Sequence, residues 1–324
     1  MNAVVQRLLA NVTLGEATSA GAFTAVPVFG DVPLGPRYIT LEEAIEAEVL
    51  DVTEIGEGGV VGTLRARNTG TKAVLIIDGE ELRGAKQNRV LNTTVLIGAG
   101  STVDLPVSCT ERGRWRYESY LFTDSGHVAE HSVRAAARMS VTENVRESGR
   151  FHSDQGEVWN QVDCLAFAHA VQSPTAAMRD VIESRREAME SLVGSLDAEP
   201  GERGLLAVVD GVVLGFDLVS RPEAYARLHD RILRSYALEA LRAQAKADPA
   251  RDARAAKEWV VSLAEAEGTV HEAPGMGKTH RFTGPGIAGV GLTFRDAIVH
   301  AAFLAVRSRP GRGPHREPGT ILID

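Results

Sequence analysis

Residues 78–89 have the sequence DGEELRGAKQNR and stand between two apolar runs, residues 73–77 and 90–97. The stretch holds three carboxylates, two amides and three cations, with two glycines that let the backbone bend. No other stretch of the sequence concentrates polar side chains in this way between apolar runs. We therefore expect the fold to be organised around residues 78–89 and take them as the first candidate for a functional site.

Short strands with regular turn signals dominate the sequence up to residue 116. Residues 60–67 and 73–77 are predicted to form a hairpin whose turn contains Gly70, because glycine adopts the positive φ that tight turns require. Residues 90–97 are predicted to form one strand, and residues 102–109 another with strictly alternating polarity. Such regularly spaced short strands predict an antiparallel β-sandwich-like layer.

The sequence changes character after residue 116. Long helical patterns follow, and one of them carries an apolar stripe at helical spacing, formed by Tyr225, Leu228, Ile232, Tyr236 and Ala240. Two further strands, residues 205–209 and 212–214, are joined by an Asp210-Gly211 turn. The predicted fold class is α+β: a β-sandwich-like N-terminal layer, then helices and a second small set of strands.

The predicted organisation has a β-rich lobe at residues 1–116, a mixed helical and strand lobe at 117–306, and a tail at 307–324. We expect the two lobes to pack intimately, since no long flexible linker separates them. The sequence leaves open whether the late strands complete the first sheet or form a sheet of their own.

Charge and composition narrow the class of protein. The chain has 324 residues, a net charge of −8 and a sequence pI near 5.7, which argues against nonspecific binding to nucleic acid or to an anionic membrane. Its two cysteines are too few for a disulfide framework or a cysteine-rich zinc site. Because neither a signal peptide nor a membrane-spanning apolar run is apparent, we expect a soluble cytoplasmic protein.

The acidic end of the central stretch offers candidate catalytic groups. If the pleat of the preceding strand continues, Asp78 and Glu80 point to one face and Glu81 to the other. Paired carboxylates can hold Mg²⁺ or act as an acid and a base. The alternative is a turn whose carboxylates accept backbone N–H groups and pair with Lys86 and Arg89.

The basic end also has two interpretations. Lys86, Gln87, Asn88 and Arg89 could present donors to a phosphate or a carboxylate. They could instead form an internal polar network with Glu81 that fixes the register of the sheet without any ligand. The sequence does not decide between a pocket and a scaffold.

Three neighbouring features each have a functional and a plainer interpretation. Strand alternation places Cys109 with the core-facing residues, so we predict a buried thiol rather than a nucleophile; Glu111 would share that face and is a further ligand-binding candidate. Arg112, Arg114 and Arg116 alternate around Trp115, which could form an anion-binding or base-stacking edge; we predict instead that residues 111–116 form an exposed edge strand kept soluble by its charge. His127 and His131 are spaced to share a helix face, and we predict a solvated pair rather than metal ligands.

Several motifs together resemble a known family. They are residues 75–82 (LIIDGEEL), 84–89 (GAKQNR), 106–109 (PVSC) and 111–115 (ERGRW). They resemble the ARPP domain family, which is named for its association with ADP-ribosylglycohydrolase and rhodanese-phosphatase proteins. The resemblance covers most of the chain and implies a connection with ADP-ribose chemistry by association alone.

The sequence is therefore compatible with two functions. The first is a cytoplasmic protein that binds or processes an ADP-ribose- or nucleotide-like anionic ligand at residues 78–89. Its catalytic candidates are Glu80 and Glu81, and its ligand-binding candidates are Asp78, Lys86, Gln87, Asn88, Arg89 and Glu111. The second is a non-catalytic interaction or scaffold module, in which the same residues are a structural network. The sequence assigns no cofactor and no metal ligand, it leaves enzymatic activity open, and a homo-oligomer is compatible with it.

Overall fold

The structure is a computed structural model that describes residues 2–31, 33–56, 59–243 and 246–306. The tail predicted at residues 307–324 lies outside the described residues. Within the described chain there are eight α-helices and eighteen strands, and the fold class is α+β as predicted. No helix in these ranges combines the length and the apolar composition that a membrane crossing requires.

The helices are α1 (Ala3–Asn11), α2 (Leu41–Glu46), α3 (His131–Ser148), α4 (Gln155–Ala168), α5 (Met178–Ser184), α6 (Arg186–Val193), α7 (Pro222–Ala240) and α8 (Pro249–Ser262), with a 3₁₀ turn at Leu263–Glu265. The strands are β1 (Val12–Leu14), β2 (Thr18–Ala20), β3 (Phe23–Gly30), β4 (Tyr38–Thr40), β5 (Leu50–Glu54), β6 (Thr63–Asn68), β7 (Ala73–Ile76), β8 (Glu80–Gly84), β9 (Arg89–Leu91), β10 (Val95–Ile97), β11 (Thr102–Cys109), β12 (Phe122–Val128), β13 (Gly204–Val209), β14 (Val212–Val219), β15 (Glu267–Glu272), β16 (Lys278–Gly284), β17 (Ile287–Phe294) and β18 (Ala297–Ala305).

Two of the three sheets form a small sandwich. One has the order β12-β8-β9-β11-β6-β5, and the other has the order β10-β7-β4 with β4 parallel to β7. Both contribute to one shared apolar core, in which Leu64 and Leu105 of the first sheet pack with Val74 and Ile97 of the second. The predicted hairpin between residues 60–67 and 73–77 is wrong, because β6 and β7 lie in different sheets of this sandwich.

The predicted strand at residues 90–97 is also interrupted. Asn92 leaves the extended path, β9 ends at Leu91 in the larger sheet, and β10 starts at Val95 in the smaller one. A single chain segment thus crosses from one sheet to the other. At the crossing point, residues 92–94, the polar side chains are buried in the interior.

The third sheet has nine strands and joins the two ends of the described chain. Its order is β1-β3-β13-β14-β18-β17-β16-β15, with β2 also paired to β3. Helices α1 and α8 pack on one face through residues such as Leu8 and Val260. Helix α7 and the helices at residues 131–193 contribute to the core on the other face. The late strands therefore share a sheet with the first strands, while the lobe boundary at residue 116 stays a prediction.

Local sequence explains the helix that leads into the sandwich and the longest helix. Thr40 accepts the Glu43 N–H, and the Glu43 carboxylate accepts the Thr40 N–H, which is a complete capping box for α2. Helix α7 begins at Pro222 and buries its entire predicted stripe from Tyr225 to Ala240. This helix lies between the sandwich and the nine-stranded sheet and contacts β12, β13 and β14.

Candidate functional site

Residues 78–89 form a turn, a strand and a hairpin loop rather than an extended pleat. The backbone turns at Asp78 and Gly79, where Gly79 has φ 87°, and the Gly79 N–H donates to the Leu91 carbonyl at 2.8 Å. Strand β8 then starts at Glu80. The expectation that Asp78 and Glu80 share one face is therefore wrong, since the turn sends the two carboxylates to different partners.

Asp78 is buried against two arginines of helix α3. Its Oδ2 accepts a hydrogen bond from Arg138 Nη2 at 2.5 Å, and its Oδ1 lies 3.9 Å from Arg134 Nη2. Burial by itself raises the pKa of Asp78, but the Arg138 and Arg134 charges outweigh that effect and hold the pKa below its ordinary value. Asp78 is therefore an ionised anchor for helix α3.

Arg134 extends this cluster to the nine-stranded sheet. It donates to both oxygens of Asp217 on β14, at 2.7 and 3.2 Å, and the Tyr236 hydroxyl donates to the same carboxylate at 2.5 Å. His300 Nε2 lies 3.9 Å from Asp217, and His300 Nδ1 lies 2.8 Å from the Thr94 hydroxyl. The Thr94 oxygen accepts the backbone N–H of Asp78 at 3.1 Å, so the network closes on itself inside the protein.

Glu80 belongs to a second buried cluster, centred on Arg231 of α7. Its carboxylate accepts a hydrogen bond from Arg231 at 3.2 Å, and the same guanidinium lies 3.0 Å from Asp124 and 3.4 Å from Glu42. Burial raises the pKa of Glu80 to about 8, because Arg231 only partly offsets it and Asp124 adds to it. Burial therefore favours the protonated form of Glu80.

Glu81 is equally inaccessible and lies against a different element. Its carboxylate accepts a hydrogen bond from the Thr110 hydroxyl at 2.8 Å. Burial raises the pKa of Glu81 to about 7 despite that hydrogen bond. Glu80 and Glu81 are both 0% exposed, so the two predicted catalytic carboxylates reach no solvent in this conformation.

The basic end of the stretch is the loop of the β8–β9 hairpin, and it lies under residues 110–121, which we name the cover segment. The Ala85 carbonyl accepts hydrogen bonds from Arg114 and from the Glu118 N–H, both at 2.9 Å. Asn88 donates its N–H to Glu111 at 3.3 Å, and Glu111 pairs with Arg114 at 2.7 Å. Burial opposes ionisation of Glu111, but the Arg114 contacts hold its pKa below the ordinary value.

Arg89 and Cys109 lie together beneath the cover segment. Arg89 Nη1 donates to Gln87 Oε1 at 2.8 Å and contacts Cys109 Sγ at 2.8 Å, while Arg89 Nη2 lies 3.6 Å from Glu54. The prediction of a buried Cys109 is confirmed, with 1% of its surface exposed. Burial raises the pKa of the thiol although the neighbouring Arg89 lowers it. This thiol is therefore a poor nucleophile.

The outer surface of the cover segment is aromatic. Trp115 and Tyr117 are each 49% exposed and Tyr120 is 79% exposed. The Lys86 ammonium lies 5.3 Å from the Trp115 ring centroid and 5.0 Å from that of Tyr117, and the Arg89 guanidinium lies 5.8 Å from Trp115. The buried cations of the hairpin loop thus lie beneath two half-exposed aromatic rings.

The cover segment differs from the edge strand that the sequence predicts. The predicted edge strand at residues 111–116 is wrong: Glu111 makes a single bridge to Ala177, and Arg114 is 4% exposed and fully engaged with the hairpin loop. The alternative of a base-stacking edge around Trp115 did point to this surface, which Tyr117 and Tyr120 extend.

The two histidines do not form a solvated helical pair. His127 lies on β12, where its Nε2 is 3.3 Å from Glu183. His131 is the first residue of α3, and its Nε2 is 3.0 Å from the Ala305 carbonyl. Burial lowers the pKa of His131 to about 4. In the described part of the chain, no group of three or more His, Cys, Asp or Glu side chains could hold a metal ion.

Two cavities in the described chain lie elsewhere. The larger, about 870 Å³, lies between α3 and α4 and is lined by Glu130, His131 and Glu157 among others. The smaller, about 230 Å³, is lined by residues that include Arg150, Phe151 and His152. None of the predicted site residues lines either cavity.

Comparison with known proteins gives a family and no closer relative. No curated protein and no solved structure matches the chain significantly. The model of the ARPP-1 family, described as the ARG and Rhodanese-Phosphatase-superfamily-associated Protein domain, matches residues 11–304. That range contains the buried ion-pair clusters, the hairpin loop and the cover segment. The chain therefore belongs to the ARPP-1 domain family.

Proposed function

We propose that this protein binds an anionic ligand with an aromatic base, of the nucleotide or ADP-ribose type, on the exposed aromatic surface of Trp115, Tyr117 and Tyr120. The observation that carries the proposal is the pair of half-exposed rings held over the Lys86 ammonium. The association with ADP-ribosylglycohydrolases in the family's name is consistent with this ligand class.

The chemistry of the surface suits such a ligand. Every nucleobase has a π-face that stacks on an aromatic side chain, and each stack contributes ~1–3 kcal/mol. Arg116, next to Trp115 in the chain, is exposed and can meet a phosphate. A chain with a net charge of −8 repels anions at long range, so local cations beside the stacking rings favour this surface over the rest of the protein.

The cover segment is held in a defined conformation, which favours binding. Its backbone and Arg114 are hydrogen-bonded to the hairpin loop at Ala85 and Asn88. A surface that is already ordered loses less conformational entropy on binding a ligand. In this proposal Lys86, Gln87, Asn88, Arg89 and Glu111 support the binding surface from below.

The acidic half of the stretch is assigned a structural role in the same proposal. Asp78, Glu80 and Glu81 are buried, and each is paired with an arginine or a hydroxyl, which supports the non-catalytic alternative. Catalysis by Glu80 and Glu81 stays a prediction; their raised pKa values would suit general acids only if a conformational change exposed them. A cytoplasmic location and homo-oligomerisation also stay predictions.

Isothermal titration calorimetry with ADP-ribose, ADP and ribose 5-phosphate tests the proposal. We expect ADP-ribose and ADP to bind and ribose 5-phosphate, which has no base, to bind about 5- to 150-fold more weakly, since one stack contributes ~1–3 kcal/mol. Trp115→Ala and Tyr117→Ala should each weaken ADP-ribose binding by a similar factor.

Trp259→Phe, a change to a partly buried tryptophan of α8, is the matched control and should leave the affinity unchanged. Absence of binding by all three compounds, or equal affinity in wild type and Trp115→Ala, would reject the proposal. Measuring ligand turnover in Glu80→Gln and Glu81→Gln separately tests the catalytic alternative.

A further inference from the structure

Arg281 on β16 is a fully buried cation without an ion-pair partner in the described chain. It is 0% exposed, and its one hydrogen bond runs from Nη2 to the Asn92 carbonyl at 3.3 Å. Its Nε and Nη1 are buried without a hydrogen-bond acceptor among the described residues. A buried guanidinium with unsatisfied donors lowers the stability of the fold, and a bound anion would offset that penalty.

The neighbouring charges do not supply that anion. Asp78 is engaged by Arg138 and Arg134, and Asp217 is engaged by Arg134. Three arginines therefore share two aspartates, which leaves an excess positive charge at Arg281. Burial lowers the pKa of Arg281 to about 9 against the opposing effect of Asp78, so the side chain is still charged at neutral pH.

A single side chain, that of Phe151, contacts Arg281 and also lines the smaller cavity. The Phe151 ring centroid lies 5.6 Å from the Arg281 guanidinium carbon, and Phe151 also lines the 230 Å³ cavity. Asn92 connects the two residues. Its side-chain amide donates to the Phe151 backbone carbonyl at 3.0 Å, and its backbone carbonyl accepts a hydrogen bond from Arg281. Arg150 and His152 flank Phe151 in the cavity wall, together with Asp104 and Glu272.

We infer that Arg281 is the centre of a binding site for a small inorganic anion such as phosphate or a halide, reached from this cavity past Phe151. The anion accepts hydrogen bonds from the unpaired Nε and Nη1 and balances the excess charge of the three-arginine cluster. The site is separate from the aromatic surface of the cover segment and does not rest on the proposed function.

Thermal unfolding in phosphate tests the inference on the whole protein. At constant ionic strength, replacing a bulky sulfonate buffer anion by inorganic phosphate should raise the melting temperature of wild type along a saturable curve. Arg281→Met, which keeps an unbranched apolar stem and removes the guanidinium and its charge, should lose that rise. Arg254→Met, on the exposed surface of α8, is the matched control and should keep it.

A second measurement locates the anion without any variant. Crystals of the wild-type protein soaked in sodium bromide should show an anomalous peak within hydrogen-bonding distance of the Arg281 guanidinium. The inference is overturned by an unoccupied guanidinium at saturating bromide, or by an equal phosphate response in wild type and Arg281→Met. A phosphate response that disappears in Trp115→Ala and persists in Arg281→Met would place the anion at the cover segment and overturn this inference alone.

Discussion

Arg134 and Asp217 form a two-point ion pair that is fully buried and joins helix α3 to strand β14, with donor–acceptor distances of 2.7 and 3.2 Å. The pair is also linked to the sandwich, since Arg134 lies 3.9 Å from Asp78. Three layers of the fold thus meet at one guanidinium. Breaking this pair leaves a buried charge without compensation, which costs far more than an exposed pair contributes.

Asp217→Asn is expected to destabilise the protein by ~3–5 kcal/mol, because it leaves Arg134 without its main counter-charge in the interior. Asp104→Asn is the matched control: Arg65 donates to Asp104 at 2.9 and 3.2 Å, but both side chains are about half exposed. Asp104→Asn should destabilise the protein by only ~0–1 kcal/mol. Urea unfolding of both variants measures the difference, and equal losses would contradict a central role for the buried pair.

The raised pKa of Glu80 predicts a specific pH dependence of stability. An unfolded glutamate loses its proton near pH 4 to 5, whereas folded Glu80 keeps its proton up to about pH 8. The folded protein therefore binds more protons between these values, and Glu80 contributes stability that is present at low pH and is lost as the pH rises. Glu80→Gln mimics the protonated form and removes the contribution of Glu80 to the slope of unfolding free energy against pH.

We expect the free energy of unfolding of wild type to fall relative to Glu80→Gln by up to ~1.4 kcal/mol per unit between about pH 5 and pH 8. Denaturant unfolding at several pH values in this range measures it. Glu187→Gln, at an exposed position of α6, should show no such difference in slope. A constant difference between wild type and Glu80→Gln would show that folded Glu80 ionises normally.

Gly79 is required both by its backbone conformation and by its neighbour. A Cβ on Gly79 would lie 3.0 Å from Cγ, Cδ and Nε of Arg134, at φ 87°. Gly100 has φ 65° with nothing within 4 Å of such a Cβ, so Gly100→Ala reports the backbone strain alone. We expect Gly100→Ala to lower the free energy of unfolding by ~1 kcal/mol and Gly79→Ala to lower it by ~2–4 kcal/mol. An equal loss of unfolding free energy in both variants, by thermal or urea unfolding, would mean that the Arg134 side chain can move aside without cost.

The two thiols should differ sharply in reactivity. Cys109 is buried and its pKa is raised, whereas Cys164 is exposed on α4. Iodoacetamide should modify Cys164 in the native protein and Cys109 only after denaturation, as read by intact mass. In Cys164→Ser, native protein should therefore remain unlabelled. Rapid labelling of that variant would show that the cover segment opens over Cys109.

Local patterns of the sequence predict the local structure well. The apolar stripe of α7 depends on residues within a few positions of each other, and its members are buried as predicted. The Asp210-Gly211 turn between β13 and β14 is likewise present, with φ above zero at both positions. Alternation along β11 placed Cys109 correctly in the interior.

The failures concern partners that are distant in the chain. Residues 60–77 have a good hairpin pattern, yet β6 pairs with β5 and β11 while β7 pairs with β10 and β4. The sequence identified the acidic residues of the central stretch but not their counter-ions, because Arg134, Arg138 and Arg231 lie on helices far along the chain. A buried ion pair leaves no periodic signal in either strand or helix, so neither the clusters nor the excess charge at Arg281 was predictable.

The pairing of β3 with β13 has a consequence during synthesis of the chain. Strand β3 ends at Gly30, but its neighbour β13 starts only at Gly204. At ordinary translation rates the ribosome needs on the order of 10 s or longer to deliver that neighbour. Until then one edge of the apolar strand at residues 23–30 lacks this partner. We expect nascent chains that stop before residue 204 to bind holdase chaperones and full-length chains to be released from them.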